Sequence, residues 1–394
     1  MGHAPLDIAR ARRDTPGCER VLHFNNAGAA LMPRQVLDAM TAHLRLEAQI
    51  GGYEAAEQEH EATERVYAAA ARLMGCSTDE IAVVENATRA WDMAFYAIPF
   101  APGDRILTCM SEYCSNYIAF LQVAGRTGAR VEVVPSDGHG QLDVAALRAM
   151  LDERVRLVAV NHVPTNGGLV NPAEEIGRAA REAGVIFLLD SAQSLGQLPT
   201  DVRKIGCDIL ASTGRKFLRG PRGTGLLYVR RDVIEKLEPP FLDIHAARWG
   251  ARDRYEIRGD ARRFENWETN YAAKIGLGVA VEYAIGWGMD AVWERVSGLA
   301  ATLRERLGEI PGVTVRDLGA VKCGIVTFTV EGRDPREIRR RLGAQGANVT
   351  ASLAEYARLD MEQRRLAGVV RASVHYYNTE EEVERFCRLV ATMA

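Results

Sequence analysis

From about residue 78 the chain alternates short, nearly continuous apolar runs with stretches whose apolar residues recur every three to four positions. DRILTCM (104–110), ARVEVVP (129–135), RLVAVNHV, VIFLLDSAQ, CDILAST and GTGLLYVRR read as strands buried on both faces. Between them SNYIAFLQVAGRTG (115–128), DVAALRAMLDERV (143–155) and AEEIGRAAREAG read as amphipathic helices. Strand and helix taking turns predict an α/β fold with a mostly parallel sheet covered by helices on both faces. Ligands of such sheets bind beyond the carboxyl ends of the strands. That rule places 161–166, 190–193 and 213–216 on one candidate edge.

After residue 285 the pattern changes to a long helix (AVWERVSGLAATLRERLGEI), strands at GIVTFTV and VVRASVHYY, and helices at DPREIRRRLGAQG and EEEVERFCRLVATM. This predicts a small α+β domain made of residues 1–19 and 285–394, beside a large domain of residues 20–284. No internal repeat or low-complexity segment interrupts either.

Composition narrows the function classes. At 394 residues and 47% hydrophobic the chain can bury a full core. The formal charge of -3 is spread along the sequence, which gives no electrostatic grip on nucleic acid or an anionic membrane. A small-molecule substrate is the expectation. The N-terminus lacks the apolar core of a signal peptide and no run is long enough to cross a bilayer, so a cytoplasmic protein is expected. The seven cysteines are scattered without C-x-x-C spacing, and no His, Asp and Glu cluster has metal-ligand spacing, so neither disulfides nor a metal is expected.

Only five of the 49 basic residues are lysines, and one, Lys216, sits in ASTGRKFLRGPRGTG. A buried lysine can lose its proton and attack a carbonyl, which a guanidinium cannot. Asp190 closes an apolar strand, where a carboxylate needs a cationic partner. Arg215 lowers the proton affinity of its neighbour and, with Thr213, suits a phosphate. In VVENATRAWDMAF, Asn86 is a predicted N-cap, and the free amides of Ala87 and Thr88 suit the same phosphate. A phosphate, an aldehyde for the lysine and a ring nitrogen for the aspartate describe pyridoxal 5'-phosphate. The glycines of GPRGTG match neither the dinucleotide fingerprint nor the Walker pattern.

From Asp190 onward, DSAQSLGQLPTDVRKIGCDILASTGRKFLRGPRGTGLLYVRR resembles the class V aminotransferase superfamily, a group of fold-type I pyridoxal-phosphate enzymes that includes cysteine desulfurases, isopenicillin N epimerase-like proteins and C-S lyases. The resemblance runs from FNNAGAALMP (24–33) to VRASVHYYNTEEEVERF (370–386). It implies a seven-stranded large domain and a homodimer with shared active sites. It implies Lys216 as the lysine bonded to the cofactor, Asp190 on the pyridine nitrogen, Gln193 on the phenolic oxygen with Ala192 beside it, and Ala87, Thr88, Thr213 and Arg215 on the phosphate. Arg371 would grip the substrate carboxylate, with Asn26 nearby. In WETNY (267–271), Thr269 or the Asn270 amide would reach the partner's phosphate, Glu268 turning elsewhere.

Two departures from the superfamily pattern direct the functional expectation. The ring-stacking position after SEY is Cys114, too small for a full stacking surface, with Tyr113 beside it. The loop that carries the nucleophilic cysteine of desulfurases is here NVTASLAEYARLDMEQRRLAGVV, without a cysteine. A persulfide needs a thiolate in reach, so β-elimination from a cysteine S-conjugate or its sulfoxide is expected, releasing a thiol or sulfenic product, pyruvate and ammonia. Transamination or epimerisation of an amino acid is the alternative. LEAQIGGYEAAE (46–57), HVPTNGG (162–168) and GRKFLRGPRG (214–223) resemble the C-S lyases that act on hercynylcysteine sulfoxide in ergothioneine biosynthesis. That likeness implies Tyr53 and Glu54 at the substrate entrance and Thr165 and Asn166 over the cofactor's edge. His162 and His375 read as core histidines.

Overall fold

The computed structural model describes residues 6–394, so the part of the expected small domain that falls on residues 1–5 lies outside the described residues. After a two-residue strand, β1 (Leu22–His23), seven strands form the large sheet: β2 (Ile81–Val84), β3 (Arg105–Cys109), β4 (Arg130–Val134), β5 (Val155–Asn161), β6 (Ile186–Asp190), β7 (Ile209–Thr213) and β8 (Gly225–Val229). Their spatial order is β2-β8-β7-β6-β5-β3-β4. β8 runs against both neighbours, and the remaining adjacent pairs are parallel.

The apolar runs are continuous because both faces of the sheet are covered. Along β5, Leu157 and Ala159 enter one core while Val158 and Val160 enter the opposite one, all fully buried. Each such side chain contributes roughly 1.5–3 kcal/mol for an aliphatic as large as Val or Leu. Six helices of the N-terminal half are α1 (Ile8–Arg13), α2 (Arg34–Ile50), α3 (Gly52–Gln58), α4 (His60–Met74), α5 (Ala87–Phe95) and α6 (Cys114–Thr127). α4 covers one face through Val66, Tyr67 and Ala70. α5 and α6 cover the other through Trp91, Phe95 and Phe120, the last two rings meeting edge-on at 5.4 Å.

β4 and β5 lie on opposite flanks of β3. The chain therefore reverses direction across the sheet there, and a crevice opens at the carboxyl ends of β3 and β5.

Beyond the sheet an exposed antiparallel hairpin, β9 (Ala247–Ala251) and β10 (Arg254–Ile257), carries Trp249 and Tyr255 outward. The C-terminal part holds β11 (Val313–Val315), β12 (Ile325–Val330), β13 (Ala347–Asn348), β14 (Thr350–Leu353) and β15 (Gly368–Ser373). Four of these form an antiparallel sheet in the order β11-β12-β15-β14, and β13 pairs with β1. Ala11, Leu22 and Phe24 share the core of this second sheet, with Phe24 stacked on Phe386 at 4.6 Å. The N-terminal segment thus packs with the C-terminal part as far as Phe24, a little past residue 20. The helix 271–287 breaks at Gly288, whose φ of +77° suits a residue without a Cβ. Among the described residues no single helix is long and apolar enough to cross a membrane.

Candidate active site

A cavity of about 410 Å³ opens at the carboxyl edge of the large sheet. Asp190 ends β6 and is followed by Ala192 and Gln193; Thr213 ends β7 and is followed by Arg215 and Lys216; Ala87 and Thr88 open α5, and Thr165 follows β5. All of these expected residues line the one cavity. The sheet register explains the convergence, since Asn161 at the end of β5 pairs with Asp190 at the end of β6, which pairs with Ala211, two residues before the end of β7.

The Lys216 amine is driven down to about 7, first by burial and then by the Arg215 charge, with Asp190 opposing and Arg371 adding to the fall. At neutral pH about half of it is then the free amine, the nucleophilic form. Its turn is fixed by Arg219 N–H donating to Lys216 O at 2.9 Å and by His375 Nε2 on Phe217 O at 2.9 Å. Gly196, at φ +95°, lets that turn sit close: a Cβ there would stand 2.5 Å from the Phe217 carbonyl carbon.

Asp190 Oδ1 accepts from Ala192 N–H at 2.9 Å and Oδ2 from Asn116 Nδ2 at 2.9 Å. At the other end of the cavity, Asn86 caps α5 by accepting from Arg89 N–H at 2.9 Å, so the amides of Ala87 and Thr88 belong to the free first turn. β8 approaches this cap so closely that a Cβ on Gly225 would lie 2.6 Å from the Asn86 carbonyl carbon. Arg215 brings a cation there, with one guanidinium nitrogen on Gly28 O. Gln193 Nε2 donates to Ala27 O at 3.2 Å, and its buried Oε1 has no partner. An unpaired buried polar atom costs about 1–3 kcal/mol, so the cavity is built for a polar occupant.

Arg371, buried on β15, holds Thr165 O and Oγ1 through Nη1 at 3.0 and 2.9 Å while its buried Nε has no partner. No carboxylate pairs with it among the described residues. Burial and the Arg215 charge pull its guanidinium down to about 10, which marks a cation prepared for an anion.

Several expected residues lie elsewhere. Asn26 is fully buried with its amide consumed inside the protein: Nδ2 donates to Ser373 O at 2.7 Å and Oδ1 accepts from Tyr377 Oη. It supports β15 and does not reach the cavity. Asn166 is likewise committed, donating to Leu353 O at 3.2 Å and accepting from Ser352 Oγ. Cys114 opens α6 but does not line the cavity, and Tyr113 beside it does. Tyr53 and Thr269 line a different, open depression with Glu268 and Asn270, and Tyr53 is 78% exposed. His162 and His375 are buried, the first with its ring pulled down to about 4 by burial.

Two asparagines complete the site: Asn116, which the sequence pattern does not single out, and Asn161, which begins the expected 161–166 edge. Asn116, in the first turn of α6, lines the cavity; Asn161 lines it from the end of β5. The available signal was positional: Asn161 ends a buried strand beside Asp190, and Asn116 is a buried polar residue within a helix.

The chain matches the family model "Aminotransferase class-V" over residues 22–386. A probable cysteine desulfurase of Pyrococcus abyssi is 30% identical over 97% of this chain and 96% of that protein, and one of Xylella fastidiosa is 32% identical over 96% and 94%. Among solved structures, the apo cysteine desulfurase of Thermococcus onnurineus superposes with a TM-score of 0.90 at 27% identity, covering 100% of this chain and 99% of that one. A cystine C-S lyase in complex with its product, cysteine persulfide, superposes with a TM-score of 0.86 at 25% identity over 96% and 99%. A mutant of that lyase carries glycine covalently linked to its PLP cofactor.

Proposed function

The chain belongs to the class V aminotransferase family of pyridoxal-phosphate enzymes, and we propose that within it this enzyme is a C-S lyase acting on a cysteine S-conjugate or its sulfoxide. The cavity residues fit the cofactor: a depressed lysine, a strand-end aspartate, a free helix start with an arginine beside it, and an unpartnered glutamine oxygen. Asp190 would hold the ring nitrogen, Gln193 the phenolic oxygen, and Ala87, Thr88 and Arg215 the phosphate. Thr213 donates to Thr224 O at 3.2 Å and must turn its hydroxyl to join them. When bound, the cofactor supplies an electron sink for the carbanion formed at the substrate's α-carbon.

The chain's own residues supply the rest. Arg371, with its partnerless Nε, grips the substrate carboxylate in a fork. Lys216 carries the proton: an amine poised near 7 takes the α-proton at neutral pH and returns it as the sulfur group leaves.

The observation that carries the lyase reading is that, among the described residues, no thiol lines the cavity. Burial pushes the thiols of Cys18, Cys323 and Cys387 up to about 11 and that of Cys76 to about 12, and lifts those of Cys109 and Cys207 further. These six are inert toward persulfide chemistry. The names of the relatives favour a second reading, cysteine desulfurase, for which half-buried Cys114 is the remaining thiol.

A homodimer accounts for Tyr53 and Thr269. They share an open depression of about 680 Å³ with Leu44 and Tyr271, near exposed Trp267. In a dimer this face would complete the site of the second copy.

Pyruvate release from cysteine S-conjugates without a keto-acid acceptor tests the reading. Turnover that starts only when an acceptor is added would replace it with transamination.

A further inference from the structure

Behind Asp190 lies a second buried carboxylate. Glu112, 2% exposed, follows β3 and accepts from Thr108 Oγ1 at 2.8 Å, Tyr113 N–H at 2.8 Å and Asn116 Nδ2 at 2.9 Å. The same Asn116 Nδ2 donates to Asp190 Oδ2 at 2.9 Å. One amide therefore spends its two hydrogens on two carboxylates, which fixes its orientation and theirs. No cation bonds Glu112 among the described residues. The titratable groups facing it are Asp190 from β6 and the Cys109 thiol from β3, whose proton affinity burial and then Glu112 itself raise.

A charge in that position is costly to bury, and the cavity residues alone do not require it. We propose that Glu112 is a positioning residue for the ring-nitrogen site: acting through the Asn116 fork, it pins the Asp190 carboxylate and adds negative charge behind it, so that the ring nitrogen keeps its proton to higher pH. This rests on Asp190 being the ring-nitrogen partner, as proposed above.

The electrostatics give the sign. Burial first, and then the Asp190 charge, push the Glu112 carboxyl up to about 7. Above that pH Glu112 is charged and adds its field behind Asp190, and below it Glu112 is neutral. Removing the Glu112 charge lowers the proton affinity of whatever Asp190 touches. At separations of several ångströms and an effective dielectric near 20 this amounts to about one pH unit.

Glu112→Gln is a clean perturbation, because the amide oxygen can accept from Tyr113 and Asn116 while its NH₂ faces Thr108 Oγ1, a hydroxyl that can turn from donor to acceptor. Wild type, Glu112→Gln and Asn116→Ala are reconstituted with cofactor labelled with ¹⁵N in the ring. The ring-nitrogen shift is followed by NMR from pH 6 to 10, and the cofactor dissociation constant is measured on the apo proteins. Glu112→Gln should move the ring-nitrogen titration midpoint down by about one pH unit and weaken cofactor binding at pH 8 by about tenfold, whereas Asn116→Ala, which keeps the Glu112 charge and removes only the fork, should weaken binding with a smaller shift of the midpoint. A wild-type midpoint in Glu112→Gln overturns the inference, including when binding is weaker, since that would be support of structure alone. If Glu112→Gln does not fold, Glu112→Met removes the same charge, and a wild-type midpoint in it overturns the inference equally. Failure of the underlying reading looks different: Asp190→Ala would then leave the ring nitrogen of the bound cofactor as it is in wild type.

Discussion

Replacing Lys216 by Met should make the cofactor-free protein more stable, and by an amount that depends on pH. An ordinary lysine, at 10.5, is charged at neutrality; the folded Lys216, at about 7, has been pushed toward the neutral form by burial and by Arg215. Between those two values the unfolded chain holds one proton more than the native one, so stability rises with pH. The wild-type cost is therefore largest at and below pH 7 and vanishes above the unfolded value. Taking 10.5 and about 7 as the two ends, it is on the order of 4 kcal/mol at pH 7 and about 1.5 kcal/mol at pH 9.5. Methionine fills similar space without a charge, so it escapes the cost. The assay is urea unfolding of wild type and Lys216→Met, both stripped of cofactor, at the two pH values. A gap that narrows by about 2–3 kcal/mol supports a strained, prepared lysine. A gap of constant size, or a less stable Met variant at pH 7, would show that Lys216 is an ordinary exposed ammonium.

Other variants probe the rest of the site. Arg371→Lys loses the fork and should reduce kcat/KM by about 100-fold, mostly through KM, as steady-state kinetics would report. Gly225→Ala drives a Cβ to 2.6 Å from the Asn86 carbonyl carbon and should displace the α5 start, so that cofactor is lost on dialysis while the fold persists by circular dichroism. Arg219, fully buried, donates to Leu31 O at 2.9 Å and Tyr376 Oη at 2.6 Å and lies 4.5 Å above the Tyr377 ring. Arg219→Ala should cost about 3 kcal/mol in thermal unfolding, with a larger loss of activity than of cofactor, because the turn carrying Lys216 loosens.

The carboxyl edge of the sheet was legible because its strands are apolar until a single polar residue ends them, as VIFLLD does at Asp190. The amphipathic pattern over 143–155 overruns its helix: Leu151 is already extended, at ψ 124°, and only Val144–Met150 coils. The β9–β10 hairpin escaped because its residues face solvent on both sides and carry no buried face to set a period. The internal bonding of Asn26 and Asn166 is hidden from the sequence for a related reason. A side-chain amide next to a cofactor motif looks free in one dimension, while the fold spends it on Ser373 and Leu353, far along the chain. Asn116 was missed in the opposite sense, since its two acceptors come from different strand ends and meet only when the sheet assembles.

The partition of products from one substrate tests the account most directly. Given an S-substituted cysteine sulfoxide and no acceptor, the purified holoenzyme should release pyruvate and ammonia in equal amounts with negligible alanine, and Cys114→Ser should do the same. Inertness toward the sulfoxide, with free cysteine giving alanine and protein-bound sulfur that is lost in Cys114→Ser, would contradict it.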